Sequence, residues 1–591
     1  MSRRTRWITM VVAVLCAVAG ASLVAVRRLR PRRAAVVQSR AVATPEQLRA
    51  QCRDAVGPPR VERISEHVWL AIGYDLANTI LIQTSAGNVV VDVSMSPVRA
   101  QAVKAALTAV APGRTLAVIY THSHIDHTGG ASAWVEPGTE IWATEALSEH
   151  FIKQYGEFRT AETRRGAGQY GAHIEEESLP CCTIGRRLDF ESAVVTGALL
   201  PTRTFSGHAE LTFGGVRIEL VEAHGETHDQ LFVWLPAERV LMPGDNYYHA
   251  FPNLYTIRGT SPRPVDAWID SLDLMRRRAP EHLVPSHTVA LHGRENILGA
   301  LTRYRDAIQW VRDRVVAGAN AGMRLEPLVE SIGLPPAVAS DPALAPLYGQ
   351  VDWSARAIYT NHLGWFDGSP EALYPLAERD RATRTVAMMG GAERLWSVID
   401  ASLRTDPRWA LHLLTLLRDA GLTAETPGQR WALASAAALE SVAATVGNSN
   451  GRGYLLESAY GRRHGVPPLP TPRASAAVLD RVPMATVFHV MASRLLPELS
   501  SGVHESVRFD LTDSHETFFL TIRNGVLEVA KGDALPNTPP PLAVVTTTAS
   551  AWRRVATDTL TPAAAVASGE LRIAGDTAGF YTFSQRFRRG L

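Results

Sequence analysis

The chain has 591 residues, 46% of them hydrophobic and 20% charged, with a formal net charge of +2 at neutral pH. A single core stops growing at roughly 250–300 residues, so this length calls for more than one domain. The balance is that of an ordinary globular protein, and it offers no basic surface for nucleic acid.

The N-terminus reads as an export or anchor segment. Arg3, Arg4 and Arg6 precede an apolar stretch from residue 7 to 26, close to the roughly 20 residues that span a bilayer. Arg27, Arg28, Arg30, Arg32 and Arg33 follow it. The expectation is an exported chain, periplasmic or extracellular, or one attached to the inner membrane by this segment. Four cysteines, Cys16, Cys52, Cys181 and Cys182, do not make a disulfide framework. The adjacent pair reads as two plain thiols in preference to a vicinal disulfide.

After a linker to about residue 60, apolar runs at 68–72, 79–83 and 89–93 predict strands, and 98–109 predicts a helix. A further apolar run at 116–120 leads straight into His122, His124, Asp126 and His127, followed by Gly129 and Gly130. In an extended entry His122 and His124 project to one side, because side chains alternate along a strand. A turn at Ile125 then lets Asp126 and His127 face a second point. Imidazoles with a carboxylate suit zinc or a similar borderline metal. Residues 145–210 have weak periodicity and read as insertion loops beside the site. Hairpin strands at 216–220 and 231–235 flank the stretch Ala223 to Gln230, a strand at 240–242 runs into Gly244 and Asp245, and another apolar run ends at Ser286 and His287.

The H-x-H-x-D-H pattern resembles that of the metallo-β-lactamase superfamily, which implies an αββα sandwich with a mono- or dinuclear metal centre. Most of the superfamily carries a histidine where this chain has Glu226. That departure is shared with the alkyl sulfatases, so the resemblance implies Glu226 as a ligand, with His224 and His228 as rivals two residues to either side. It implies Asp245 as the carboxylate bridging two metals, where alkyl sulfatases more often carry Glu, and His287 as the last ligand, with His282 and His292 as decoys. The run Asn253-Leu254-Tyr255-Thr256-Ile257-Arg258-Gly259 is similar to the sulfate-holding segment of the alkyl sulfatases. A guanidinium beside an amide is a sound pair of donors for a sulfate monoester.

Helical periodicity follows at 298–316, 395–403, 408–420 and 431–446. Within it, Leu363-Gly364-Trp365-Phe366-Asp367-Gly368-Ser369-Pro370 resembles the signature of the alkyl sulfatase dimerisation domain, which implies a homodimer and a place for Trp365 near the substrate. A proline-rich break at 467–472 precedes a small α+β unit with strands at 507–511, 517–522 and 526–530 and an Asn524-Gly525 hairpin turn. This unit resembles the sterol-carrier-protein-2-like (SCP2-like) domain of the same family, which implies an apolar groove.

The expected organisation is α/β: a signal peptide or anchor at 1–35, an αββα catalytic sandwich at 45–295, an all-α dimerisation domain at 296–465 and an SCP2-like domain at 473–591. The resemblance implies hydrolysis of alkyl sulfates to alcohol and inorganic sulfate with two zinc ions per chain. His122, His124 and Glu226 would hold one, Asp126, His127 and His287 the other, and Asp245 would bridge them. Asn253, Arg258 and Trp365 would bind substrate, with Asp126 and His249 as candidate catalytic residues. The rivals are a lactonase, lactamase or phosphodiesterase of the same fold, and a lipid-binding scaffold with a vestigial site.

Overall fold

The computed structural model describes residues 42–588 apart from 155–157, 191, 193–195, 424–428, 466–468 and 470–475. The predicted export segment, Cys16 and most of the proline-rich break therefore lie outside the described residues. Among the described residues, no helix is long and apolar enough to cross a membrane.

Strand alternation builds the N-terminal half. A seven-stranded sheet takes Arg60–Arg63, Val68–Ile72, Thr79–Thr84, Gly87–Val91, Thr115–Ile119, Glu140–Thr144 and Arg203–Phe205 in that order. A six-stranded sheet takes His208–Phe213, Val216–Glu222, Leu231–Leu235, Val240–Met242, His282–Leu283 and Leu291–His292. Every second residue points between the sheets: Ile80, Ile82, Val89, Val91 and Ile119 meet Ile218, Leu220, Leu231, Val233 and Met242. The intervening residues point outward. Leu81, Val90 and Val118 pack on Ala100, Val103 and Leu107 of helix Pro97–Val110. Phe232, Trp234 and Leu241 pack with residues of helices Val265–Arg278 and Arg294–Asn320. Both faces of both sheets are covered, which is the αββα sandwich.

Two elements differ from the sequence reading. Segment 145–210 contains helices Leu147–Ile152 and Arg159–Tyr170 and an edge strand, not only loops. The buried residues of the second helix are Gly166, Ala167, Gly168, Gln169 and Tyr170, so it carries no apolar stripe to detect. Helix Arg294–Asn320, read as the start of the helical module, contributes Ile297, Leu301 and Ile308 to the core of the second sheet.

The cysteine reading is corrected. Cys52 is bonded to Cys181 across 129 positions, and Cys182 is a buried free thiol. Partners so far apart in sequence leave no spacing signal.

Beyond the sandwich, helices Gly391–Thr405, Pro407–Asp419 and Arg430–Ala443 bury Leu395, Trp396, Ile399, Leu413 and Leu417 against one another. The C-terminal unit is a five-stranded sheet whose hairpin between strands Glu516–Arg523 and Val526–Lys531 turns at Asn524 and Gly525, both at positive φ. It encloses a cavity of about 390 Å³ walled by Phe509, Trp552, Phe580, Phe583 and Phe587, with Arg494 at its lining.

Candidate metal centre

Strand ends deliver the donors. His122 and His124 occupy the stretch between strand Thr115–Ile119 and the short helix Ile125–Thr128, with His124 extended at the helix N-cap. Their Nε2 and Nδ1 atoms face each other at 2.8 Å. The helical turn swings Asp126 and His127 to a second point, where His127 Nε2 lies 3.4 Å from Asp126 Oδ2. Gly129 and Gly130 let this turn lie against the end of a neighbouring strand. A Cβ at either would come within 2.0 Å of the Met95 or Val93 carbonyl oxygen.

Asp245 follows strand Val240–Met242, and His287 follows His282–Leu283. Asp245 Oδ2 is 3.1 Å from His287 Nε2 and 3.9 Å from His122 Nε2, while Oδ1 is 3.5 Å from His127 Nε2. The result is two buried trios, His122–His124–Asp245 and Asp126–His127–His287, with the donor atoms of each within 4.8 Å of one another. Asp245 touches both.

Glu226 is brought close but stands outside the first trio. Its Oε1 is 4.0 Å from His124 Nδ1 and accepts from Arg263 NH2 at 2.6 Å. The rivals do not enter: His224 Nε2 pairs with Glu222 and His228 Nε2 with the Pro262 carbonyl. The decoys His282 and His292 face each other across their strand pair, Nδ1 to Nδ1 at 2.8 Å.

The donor set fits a divalent metal centre. His127 Nε2, Asp245 Oδ1 and Glu226 Oε2 are buried with no hydrogen-bond partner, a costly state unless something satisfies them. The electrostatics agree. Burial alone favours neutral imidazoles, and it keeps His122 and His124 well below the ordinary histidine range. At His127 and His287 the same burial is outweighed by Asp245 and Asp126, which hold both imidazoles above that range. Burial pushes the Asp126 carboxyl up, but His127 and His287 pull it down to about 2. The carboxylates demand positive charge at their centre, and without a cation they draw it from protons.

Two participants escaped the sequence reading. Asp92, just past strand Gly87–Val91, accepts from His127 Nδ1 at 2.7 Å, Ser286 Oγ at 2.6 Å and the Thr121 N–H and hydroxyl at 2.9 Å. It fixes the ring of one donor and the loop entry of another, as outer carboxylates do at metal sites. Arg263 is buried against Glu226, and its only sequence signal is its position between Pro262 and Pro264.

Arg258 reaches the cluster, with NH2 donating to His124 Nε2 at 3.2 Å and NH1 bound to Glu162. Asn253 is buried, its N–H donating to the Tyr248 hydroxyl at 2.7 Å and its Oδ1 unpartnered. His249 and Trp365 are not brought to the cluster. The His249 ring lines a separate cleft with Gln47, Gln51, Val289 and Asp341. Trp365 is 71% exposed in the loop after helix Val351–Leu363, beside Phe366. Adjacency in sequence could not tell which way either ring turns. A cavity of about 840 Å³ is lined by Tyr255, Ile257, Ile332, Leu334 and Trp353 and by none of the metal-type donors.

Fold and site together define a metallo-β-lactamase-superfamily protein. The chain matches that superfamily over residues 72–287, the alkyl sulfatase dimerisation family over 325–465 and the alkyl sulfatase C-terminal family over 472–589. With these three modules in this order, it belongs to the alkyl sulfatase family. It is 29% identical over 475 residues to a linear primary-alkylsulfatase of a Pseudomonas strain, covering 76% of this chain and 88% of that one. It is 26% identical over 484 residues to an (R)-specific secondary-alkylsulfatase of Pseudomonas sp., covering 78% and 71%. The solved stereoselective inverting sec-alkylsulfatase Pisa1 from Pseudomonas sp. shares the fold, with a TM-score of 0.83 at 22% identity over 94% of this chain and 92% of that one.

Proposed function

We propose that this chain hydrolyses alkyl sulfates to alcohol and inorganic sulfate with two zinc ions. The observation that carries this reading is a guanidinium, Arg258, within 3.2 Å of a metal-type histidine, in a chain whose relatives are named alkylsulfatases. His122, His124 and Asp245 would hold one cation and Asp126, His127 and His287 the other, with Glu226 beside the first. When bound, such cations supply the Lewis acidity that makes water a nucleophile near neutral pH.

The chain's own groups do the rest. Arg258 and Asn253 hold the sulfate oxygens and offset charge as the ester bond breaks. Asp126, held down to about 2 by His127 and His287 against its burial, stays a carboxylate at neutral pH and serves as ligand and acceptor, not as an acid. Asp92 keeps the His127 ring in place.

The same reading covers the modules. Leu363, Trp365, Tyr374 and Met388 are exposed on the helical module, in the stretch that matches the alkyl sulfatase dimerisation family, and they support a homodimer. The aromatic cavity of the C-terminal unit is matched to an alkyl chain. The Cys52–Cys181 disulfide supports export to an oxidising compartment. The test is release of inorganic sulfate from dodecyl sulfate by purified, zinc-loaded protein. Steady release that stops on chelation and returns with zinc is expected. Turnover of a lactone or phosphodiester with no sulfate release would contradict the proposal.

A further inference from the structure

Helix Arg159–Tyr170 grips the anion loop with one face. Glu162, Arg165 and Gln169, spaced three and four apart, all reach the segment Tyr255 to Arg258. Arg165 donates from Nε and NH2 to the Ile257 carbonyl at 3.1 and 2.8 Å. Gln169 Oε1 accepts from the Thr256 hydroxyl and the Arg258 N–H, both at 2.9 Å. Glu162 accepts from Gln154 Nε2 at 2.8 Å and pairs with Arg258 NH1.

Only this last contact joins two charges, and it lies within reach of the metal-type cluster. The Glu162 and Arg258 side chains are each 11% exposed, so the pair is largely withdrawn from water. Burial pushes the Glu162 carboxyl up, and Arg258 opposes it. Nothing in the Arg258 side chain requires such a partner for the loop to fold, because Arg165 and Gln169 already fasten its backbone. What the carboxylate changes is the charge that an incoming anion meets.

We propose that Glu162 determines specificity by offsetting the charge of Arg258, so that the anion site favours a monoanion over a dianion. The inference rests on the reading of Arg258 as the sulfate-ester holder. An alkyl sulfate carries one negative charge, whereas free sulfate carries two and a phosphate monoester carries about 1.5 to 2 at pH 7. Interaction energy scales with the product of the charges, and screening is weak in a buried site. A fixed carboxylate beside the guanidinium therefore penalises a dianion about twice as much as a monoanion. Product sulfate is expelled, and phosphate esters are poorly held.

The proposal is tested on the zinc-loaded protein by calorimetry with methyl sulfate, inorganic sulfate and inorganic phosphate, and by inhibition of dodecyl sulfate hydrolysis. Wild type should bind methyl sulfate more tightly than inorganic sulfate. Glu162→Gln should tighten inorganic sulfate about tenfold, a shift of the size one local charge produces, with the sulfate inhibition constant falling more than KM for dodecyl sulfate changes. Glu162→Asp, which keeps the charge, should stay near wild type. A wild-type preference for the dianion overturns the proposal without any variant. So does an unchanged sulfate affinity in a folded Glu162→Gln, which would leave Glu162 a purely structural residue. If wild type keeps the monoanion preference yet releases no sulfate from dodecyl sulfate, the function proposed above fails and the charge role of Glu162 stands.

Discussion

Among single residues, Asp92 shows how much of the site sits behind the donors. Four hydrogen bonds converge on its carboxylate, from His127, Ser286 and both polar groups of Thr121. Asp92→Asn should weaken zinc binding by about 10- to 100-fold, the usual cost of losing an outer carboxylate. Competition with a chromophoric chelator measures it, and an unchanged affinity in a folded variant contradicts the role. A second prediction concerns protons. In the cation-free site burial opposes charge on His127 and His287, but Asp245 and Asp126 raise both above the ordinary range, so their protons stabilise the fold at low pH and this contribution fades as pH rises through the raised values. Burial opposes charge on Asp126 and Asp245 too, yet their histidine partners depress both, so the carboxylates contribute above the ordinary carboxyl range and lose that contribution as pH falls. Zinc must displace the histidine protons, and loading stripped protein near pH 7 should release them into a weakly buffered solution. Zinc binding without proton release contradicts this picture. The donors themselves were legible because four of them fall within six positions after an apolar strand. Asp92 was not, since its partner His127 lies 35 positions away and nothing local marks the contact.

At the scale of elements, the strands are legible because burial on both faces leaves short continuous apolar runs, as at Ile80, Leu81 and Ile82, which feed two different cores. Helix Arg159–Tyr170 was missed for the opposite reason: it packs through small and polar residues. Its backing is helix Ser449–His464, where Gly453 lies so close that a Cβ would stand 2.5 Å from the Gln169 carbonyl oxygen. Gly453→Ala should therefore push the gripping helix off the anion loop. Overpacking of this kind costs about 1–3 kcal/mol, and the expected outcome is a lower melting temperature and a raised KM for alkyl sulfate with zinc content unchanged. Wild-type kinetics in this variant would show that the two helices are not coupled. Sequence adjacency also misled in detail. His249 follows the aromatic Tyr248, whose hydroxyl meets Asn253, but its own ring faces another cleft.

For the whole molecule, three modules in series are legible from their motifs, whereas ties between positions far apart in the chain are not. The Cys52–Cys181 bond joins the entry helix region to the insertion across 129 positions. Closing so long a loop limits the unfolded chain, and reduction should cost about 2–5 kcal/mol. Thermal melts with and without reductant measure this, and coincident melts contradict it. Side chains from separate strand ends converge around Asp245, and everything else rests on the proposal that they hold two cations. Diffraction at the zinc absorption edge from zinc-loaded crystals tests it most directly. Two anomalous peaks are expected, one among His122, His124 and Asp245 and one among Asp126, His127 and His287, both touching the Asp245 carboxylate. A single peak, or peaks away from these side chains, would contradict it.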